Sequence, residues 1–238
     1  MWVSEFLRHF NVLDVGCGDG YGCHYLAERS AAHVLGIDND PEAIEFAQRR
    51  YRRNNLRFLL MDATKISLPP ESVDAAISFE VIEHLANPRE YLDGICRVLR
   101  QEGLLFISTP NRRFTERHYK KGKPRNPSHM REYYPDELQD LLRRFFVIER
   151  VYCQFRDYDL HPRKKDLDNY VERCAIPLTI RKLVPLCMKN AWLRMKGLPP
   201  WRESEGAWKD YKIVQVNNIH EIDERFPVQL FSCRRSLV

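Results

Sequence analysis

The residues best suited to bind a ligand lie in one stretch, Asn11 to Gly22, which reads NVLDVGCGDGYG. A short apolar run carries one acid, Asp14, and then gives way to glycines. Glycine is needed where φ must be unrestricted and where a ligand touches the backbone directly. A helix expected from about Asp19 to Glu28 would point its N-terminal amides at a ligand in the turn. The stretch therefore predicts a strand, a ligand-binding turn and a helix.

A second apolar run, His33 to Ile37, ends in Asp38, 22 residues after Gly16. In nucleotide-binding α/β units, a carboxylate at this spacing binds ribose hydroxyls. Dinucleotide-binding fingerprints require a third small residue where this chain has Tyr21. The pattern thus favours another nucleotide cofactor, one with a free amino-acid group whose pocket Asp14 would help to order.

Candidates for proton transfer follow a predicted fourth strand, Asp74 to Phe79. Glu80, Glu83 and His84 form an E-x-x-E-H run there, and His129 lies in the segment NPSHMREY. The carboxyl ends of parallel strands are where open α/β sheets bind ligands. His129, His84 and Glu80 are therefore the predicted catalytic residues. For both histidines, helix capping or backbone hydrogen bonding is an equally good alternative.

With these motifs, the chain resembles the class I S-adenosylmethionine-dependent methyltransferases, and among them the ubiquinone-pathway O-methyltransferases. The resemblance runs from about Val12 to Phe155 and returns at the last strand. Its further motifs are MDA at Met61 to Ala63, ISFEVIEHL at Ile77 to Leu85, and RVLRQEGLLFISTPN at Arg97 to Asn111.

The resemblance implies S-adenosyl-L-methionine as the cofactor, with Asp62 and the Ala63 amide against the adenine edge. The cofactor-binding set that it implies is Asp14, Gly16, Cys17, Gly18, Asp38, Asn39, Asp62, Ala63 and Phe79. The E-x-x-E-H run also resembles a divalent-metal motif of these enzymes and, with His129, that of small-RNA 2′-O-methyltransferases. Because the same run occurs in relatives not thought to use metal, the sequence by itself assigns no metal ligand.

The resemblance implies a Rossmann-like, doubly wound α/β fold with a seven-stranded, mostly parallel sheet whose last strand is antiparallel. All 238 residues would form a single methyltransferase domain, with residues 156–225 as a helical insertion between strands six and seven that covers the substrate. In that insertion, residues 180–196 are predicted to form an amphipathic helix bearing Trp192. Packing against the core is the favoured interpretation, and peripheral contact with a membrane or cover for an apolar substrate is the alternative.

Positive charge is concentrated in residues 112–131, which hold eight Lys or Arg against one acid, Glu116, in a chain of net charge +5. This segment leaves a central strand beside the predicted cofactor site, so it favours an anionic or sugar-linked small-molecule acceptor. Two other function classes remain open. One is an RNA 2′-O-methyltransferase with a divalent metal, although only Phe114 and Tyr119 could stack on bases there. The other is a non-catalytic cofactor-binding module.

Cysteine usage and hydropathy predict a cytoplasmic protein. The seven cysteines are an odd number without a close C-x-x-C pair, which argues against a disulfide framework or a zinc cluster. No apolar run approaches the ~20 residues of a transmembrane helix. The first residues lack the basic-then-apolar build of a secretory signal.

Overall fold

A computed structural model describes residues 2–118, 126–156, 211–222 and 228–236 of the chain. These residues form one sheet with helices packed on it. The strands are β1 Asn11–Val15, β2 His33–Asp38, β3 Leu56–Leu60, β4 Val73–Phe79, β5 Leu99–Pro110, β6 Phe146–Arg156, β7 Tyr211–Val216 and β8 Val228–Arg235. The α-helices are α1 Tyr21–Arg29, α2 Pro41–Arg50, α3 Pro88–Val98, α4 Arg112–His118 and α5 Pro135–Leu142. Short 3₁₀ helices span Trp2–Glu5, Ile82–His84 and Ile219–Glu221.

The strand order is β3-β2-β1-β4-β5-β8-β6-β7. Strands β1 to β5 pair in parallel, and β8 runs antiparallel to both β5 and β6. The predicted doubly wound, mostly parallel sheet with an antiparallel last strand is thus confirmed. Because the carboxyl ends of β1 to β4 lie at one edge of the sheet, residues that follow these strands meet there.

The predicted strand number was wrong, because the described residues form an eight-stranded sheet and not a seven-stranded one. The additional strand is β7, whose sequence YKIVQV is rich in the β-branched and aromatic residues typical of strands. It lies inside the range predicted to be a helical insertion, so residues 211–222 are a strand and a 3₁₀ turn. The predicted insertion helices, with Trp192, fall on residues 157–210, outside the described part of the chain. The chain divides into two units, and apart from the last residues of β6 and the first of β7 the described elements belong to the unit Met1–Gln154 with Ile213–Val238.

Both faces of the sheet are covered. In β1, the neighbours Val12 and Leu13 belong to two different hydrophobic clusters, since successive side chains of a strand point to opposite faces. One cluster includes residues of α1 and α2, and the other includes α3 and α5. The sheet is therefore a packed platform that fixes the positions of the strand ends. Among the described residues, no helix is long and apolar enough to cross a membrane.

Candidate active site

The glycine turn between β1 and α1 is locked against the end of β2. Its backbone amides at Gly16 and Cys17 both donate to the Ile37 carbonyl oxygen, at 2.8 and 3.0 Å. Gly16, Gly18 and Gly20 have φ values of 78°, 53° and 80°, the left-handed region that disfavours a side chain. The structure thus gives this stretch the strand, turn and helix that its sequence predicts.

The Asp38 carboxylate is fixed beside this turn at the end of β2. Its Oδ2 accepts a hydrogen bond from the Gly18 amide at 2.8 Å, and its Oδ1 accepts one from the Asp40 amide at 2.9 Å. A carboxylate has about four lone-pair sites, so both oxygens keep a further acceptor position. The carboxylate is therefore oriented by the backbone and still able to bind a pair of ribose hydroxyls.

Replacing Asp38 with Ala should weaken S-adenosylmethionine binding by roughly 1.5–3 kcal/mol, the range for hydrogen bonds to a charged group. Isothermal titration calorimetry measures this directly. Glu42→Ala is the matched control, because Glu42 is an exposed carboxylate in the first turn of α2. Equal affinities for the two variants would remove Asp38 from the cofactor site.

The remaining predicted cofactor residues lie at the same edge of the sheet. Asn39 follows Asp38 and is exposed, and Phe79 is half-buried at the end of β4. Asp62 and the half-buried Ala63 follow β3. The Thr64 amide and hydroxyl both donate to Asp62 Oδ1 at 2.8 Å, and these bonds lower the pKa of the Asp62 carboxyl. The predicted cofactor residues thus lie at the ends of four neighbouring strands, and the role of each residue in binding remains a prediction.

Asp14 is the buried member of this set, with 8% of its surface exposed. Its Oδ2 accepts a hydrogen bond from the Cys23 thiol at 3.1 Å. Burial raises the pKa of Asp14 to about 6. A cation brought beside such a group favours its charged form, which suits the predicted role near the amino-acid end of the cofactor.

The two carboxylates of the E-x-x-E-H run are held by β5. Ser108 Oγ donates to Glu80 Oε1 at 2.8 Å, and Thr109 Oγ1 donates to Glu83 Oε2 at 2.9 Å. Glu83 is fully buried, whereas Glu80 keeps an exposed surface although neighbouring protein atoms desolvate its carboxyl group. Desolvation raises the pKa of both groups, and the Glu83 charge raises that of Glu80 further.

The predicted histidines come together although they are distant in the chain. Their rings form an edge-to-face pair with centroids 4.8 Å apart. His84 Nδ1 lies 3.1 Å from the Ser128 carbonyl oxygen, and His129 Nδ1 lies 2.9 Å from Glu132 Oε1. A carbonyl oxygen and an ionised carboxylate only accept hydrogen bonds, so each Nδ1 must carry a proton. In its neutral form, each imidazole therefore keeps its lone pair on Nε2.

Glu83, His84 and His129 each offer a ligand atom, and these atoms lie within 4.8 Å of one another. Oε1 of the buried Glu83 has no hydrogen-bond partner among the described residues. Two imidazoles and a carboxylate are a ligand set for a hard or borderline divalent ion such as Mn²⁺ or Zn²⁺. The residues present therefore fit such an ion, which would polarise an acceptor hydroxyl and lower its pKa.

Sequence reasoning did not identify the residues that hold these groups in place. Four buried residues do this. Ser108 donates to Glu80 and Thr109 donates to Glu83. Glu132 lies against His129, and Thr115 donates to Glu132. A carboxylate three residues after a histidine was the available signal for Glu132. For the others no local pattern exists, because their partners lie 17 to 28 residues away.

Residues 13–107 match the family model described as a methyltransferase domain. This match identifies residues 13–107 as a methyltransferase domain, and the sheet order and the glycine turn agree with the Rossmann-like fold of the S-adenosylmethionine-dependent methyltransferases to which the chain is similar. The curated relatives include proteins named as S-adenosylmethionine-dependent methyltransferases, so the similarity implies S-adenosylmethionine as the cofactor.

A probable S-adenosylmethionine-dependent methyltransferase of Mycobacterium tuberculosis is 37% identical over 161 residues, which cover 66% of this chain and 55% of the relative. The chain thus spans about half the length of that relative. A ubiquinone biosynthesis O-methyltransferase of Neisseria meningitidis is 31% identical over 110 residues, 44% of this chain and 46% of the relative. A solved S-adenosylmethionine-dependent methyltransferase from Thermotoga maritima has the same fold, with a TM-score of 0.63 at 17% identity, over 98% of this chain and 86% of the other.

Proposed function

We propose that this chain transfers the methyl group of S-adenosylmethionine to a hydroxyl oxygen of a small-molecule acceptor. The observation that carries the proposal is the cluster of Glu83, His84 and His129 at the strand-end edge that also holds the glycine turn. Hydroxyl oxygens need a proton acceptor when they attack, and the cluster offers two imidazoles with Nε2 available.

In the proposed reaction, the acceptor oxygen attacks the methyl carbon in line with the carbon–sulfur bond. The new carbon–oxygen bond forms as the carbon–sulfur bond breaks, and S-adenosylhomocysteine leaves with the electron pair on sulfur. The hydroxyl proton moves to His129 Nε2, and His84 is the alternative base. Positive charge on sulfur fades during this step, so alignment and exclusion of water are the main demands on the protein. Glu80, with an exposed surface next to this cluster, would contact the acceptor.

The anionic or sugar-linked character of the acceptor rests on the basic segment 112–131. Three of its cations have described side chains, and each is paired: Arg112 with Glu116 at 2.9 Å, Arg113 with Asp136 at 3.2 Å, and Arg131 with Glu137 at 3.4 Å. These arginines are largely neutralised by their partners. Support for an anionic acceptor therefore comes from the sequence, which has five further cations in this segment. Their side chains lie outside the described part of the chain: Arg117, Lys120, Lys121, Lys123 and Arg125.

Methylation of an RNA ribose 2′-hydroxyl with a divalent ion is the second candidate function. The ligand geometry of Glu83, His84 and His129 favours it. It differs from the first candidate in requiring a metal for activity, whereas a histidine base does not require one.

Chelation distinguishes the two candidates. We expect the chain to methylate 3,4-dihydroxybenzoate, an anionic catechol, and to keep its rate after exhaustive EDTA treatment, since histidine can accept the proton. The measurement is S-adenosylhomocysteine formation with EDTA, and again after adding Mn²⁺ or Mg²⁺. A rate that falls in chelator and returns with metal, together with methylation of an RNA oligonucleotide and not of the catechol, would establish the second candidate. Stoichiometric cofactor binding without turnover on either acceptor would indicate a non-catalytic module.

A further inference from the structure

Residues 126–132 are tied to the short helix Ile82–His84 through the backbone. The amides of Met130 and Arg131 both donate to the Glu83 carbonyl oxygen, at 2.8 and 3.1 Å. This double contact places His129 next to His84. The backbone thus sets the position of the His129 ring, but it does not select which ring nitrogen carries the proton.

Glu132 lies directly behind the His129 ring. Its Oε1 is 2.9 Å from His129 Nδ1, and its Oε2 is 2.5 Å from Thr115 Oγ1. The Glu132 side chain is 4% exposed and the His129 side chain 11% exposed. A charged carboxylate in such a place is costly unless its oxygens accept hydrogen bonds, and each oxygen has a partner within reach, His129 Nδ1 for Oε1 and Thr115 Oγ1 for Oε2.

The partner of one imidazole nitrogen determines the state of the other. Because an ionised Glu132 can only accept, it selects the tautomer of His129 with the proton on Nδ1. Thr115 occupies the second carboxylate oxygen and so keeps the carboxylate plane turned toward the ring. The result is a chain from Thr115 through Glu132 to His129.

We infer that Glu132 is a positioning residue, which holds His129 in the Nδ1-protonated tautomer and presents Nε2 to the acceptor. Its effect on the rate rests on the proposed function. Its effect on the tautomer does not, and the two can be measured separately. At metal sites, removing a carboxylate that orients a histidine typically changes metal affinity or activity by about 10–100-fold, and we expect an effect of the same size for the His129 base.

The tautomer is measured by ¹⁵N NMR of histidine-labelled, chelator-treated protein. The chain has eight histidines, and the signals of His129 are those missing from the His129→Gln spectrum. We expect the neutral His129 ring of the wild type to show a protonated Nδ1 and an unprotonated Nε2. We expect Glu132→Leu, which has similar volume and no acceptor, to lose this preference, and Glu132→Gln, which keeps an acceptor oxygen, to retain it.

In the activity arm, Glu132→Leu should lower kcat for 3,4-dihydroxybenzoate about 10–100-fold with its KM and the cofactor affinity nearly unchanged, and Glu132→Gln should restore most of the rate. The matched control is Asp140→Asn, an exposed carboxylate on α5.

A wild type with the proton on Nε2 overturns the inference even if Glu132→Leu fails to fold. A Leu variant with an unchanged tautomer overturns it as well. The predicted tautomers without turnover of the catechol would support the positioning role and count against the proposed function.

Discussion

Replacing His129 with Ala is expected to lower kcat for methyl transfer to a hydroxyl acceptor by about 10²–10⁴-fold, the range for loss of a general base. His129 Nδ1 lies 2.9 Å from Glu132 Oε1, and the His129 ring packs against His84 at the end of the sheet. Removing the imidazole leaves the acceptor hydroxyl without its proposed proton acceptor. Affinity for S-adenosylmethionine should stay nearly unchanged, since His129 makes none of the contacts that fix the glycine turn.

Steady-state kinetics with 3,4-dihydroxybenzoate give kcat and KM, and calorimetry gives the cofactor affinity. His33→Ala is the matched control, because His33 is exposed at the start of β2, away from the carboxyl end of the sheet. A His129→Ala variant that retains the kcat of the control would remove His129 from the mechanism. Equal losses of rate, cofactor affinity and melting temperature would assign it a structural role instead.

Replacing Gly20 with Ala is expected to destabilise the fold strongly, by more than the same change at Gly18 or Gly94. Gly20 has a φ of 80°, and left-handed backbone costs an alanine about 1–2 kcal/mol. A Cβ there would lie 2.7 Å from ring carbons of Phe58 and 2.8 Å from Ala47 Cβ. Such overpacking costs a further ~1–3 kcal/mol. Because the turn must move to relieve the clash, cofactor affinity should fall as well.

Urea unfolding measures the loss of stability in Gly20→Ala, and two other glycines serve as controls in that experiment. Gly18 has a φ of 53° but no atom within 4 Å of an added Cβ, so Gly18→Ala should carry the backbone cost alone. Gly94 lies within α3, where the nearest atom to an added Cβ is 3.7 Å away, so Gly94→Ala should stabilise the fold by roughly 0.5–1 kcal/mol. The urea midpoint should be highest for Gly94→Ala, lower for Gly18→Ala and lowest for Gly20→Ala. Any other order would contradict this account.

The sequence by itself determined the features that depend on neighbouring residues. The apolar run before Gly16 predicts β1, and Asp38 ends a run of the right length for β2. The start of α2 is equally local, since Asp40 Oδ1 accepts from the Glu42 and Ala43 amides. Glycine, proline and capping residues act within one turn of the chain, so their spacing suffices to locate elements and the cofactor edge of the sheet.

Only the tertiary structure decided what surrounds the candidate catalytic residues. His84 meets Ser128 across 44 residues, and Glu83 meets Thr109 across 26. The same holds for the pairing of Arg113 with Asp136 and for the link from Thr115 to Glu132. In each case the partner is chosen by how helices and strands pack, and residue types at a fixed spacing carry no record of that choice. Histidines at positions 84 and 129 were therefore separate candidates in the sequence, and the fold made them one site.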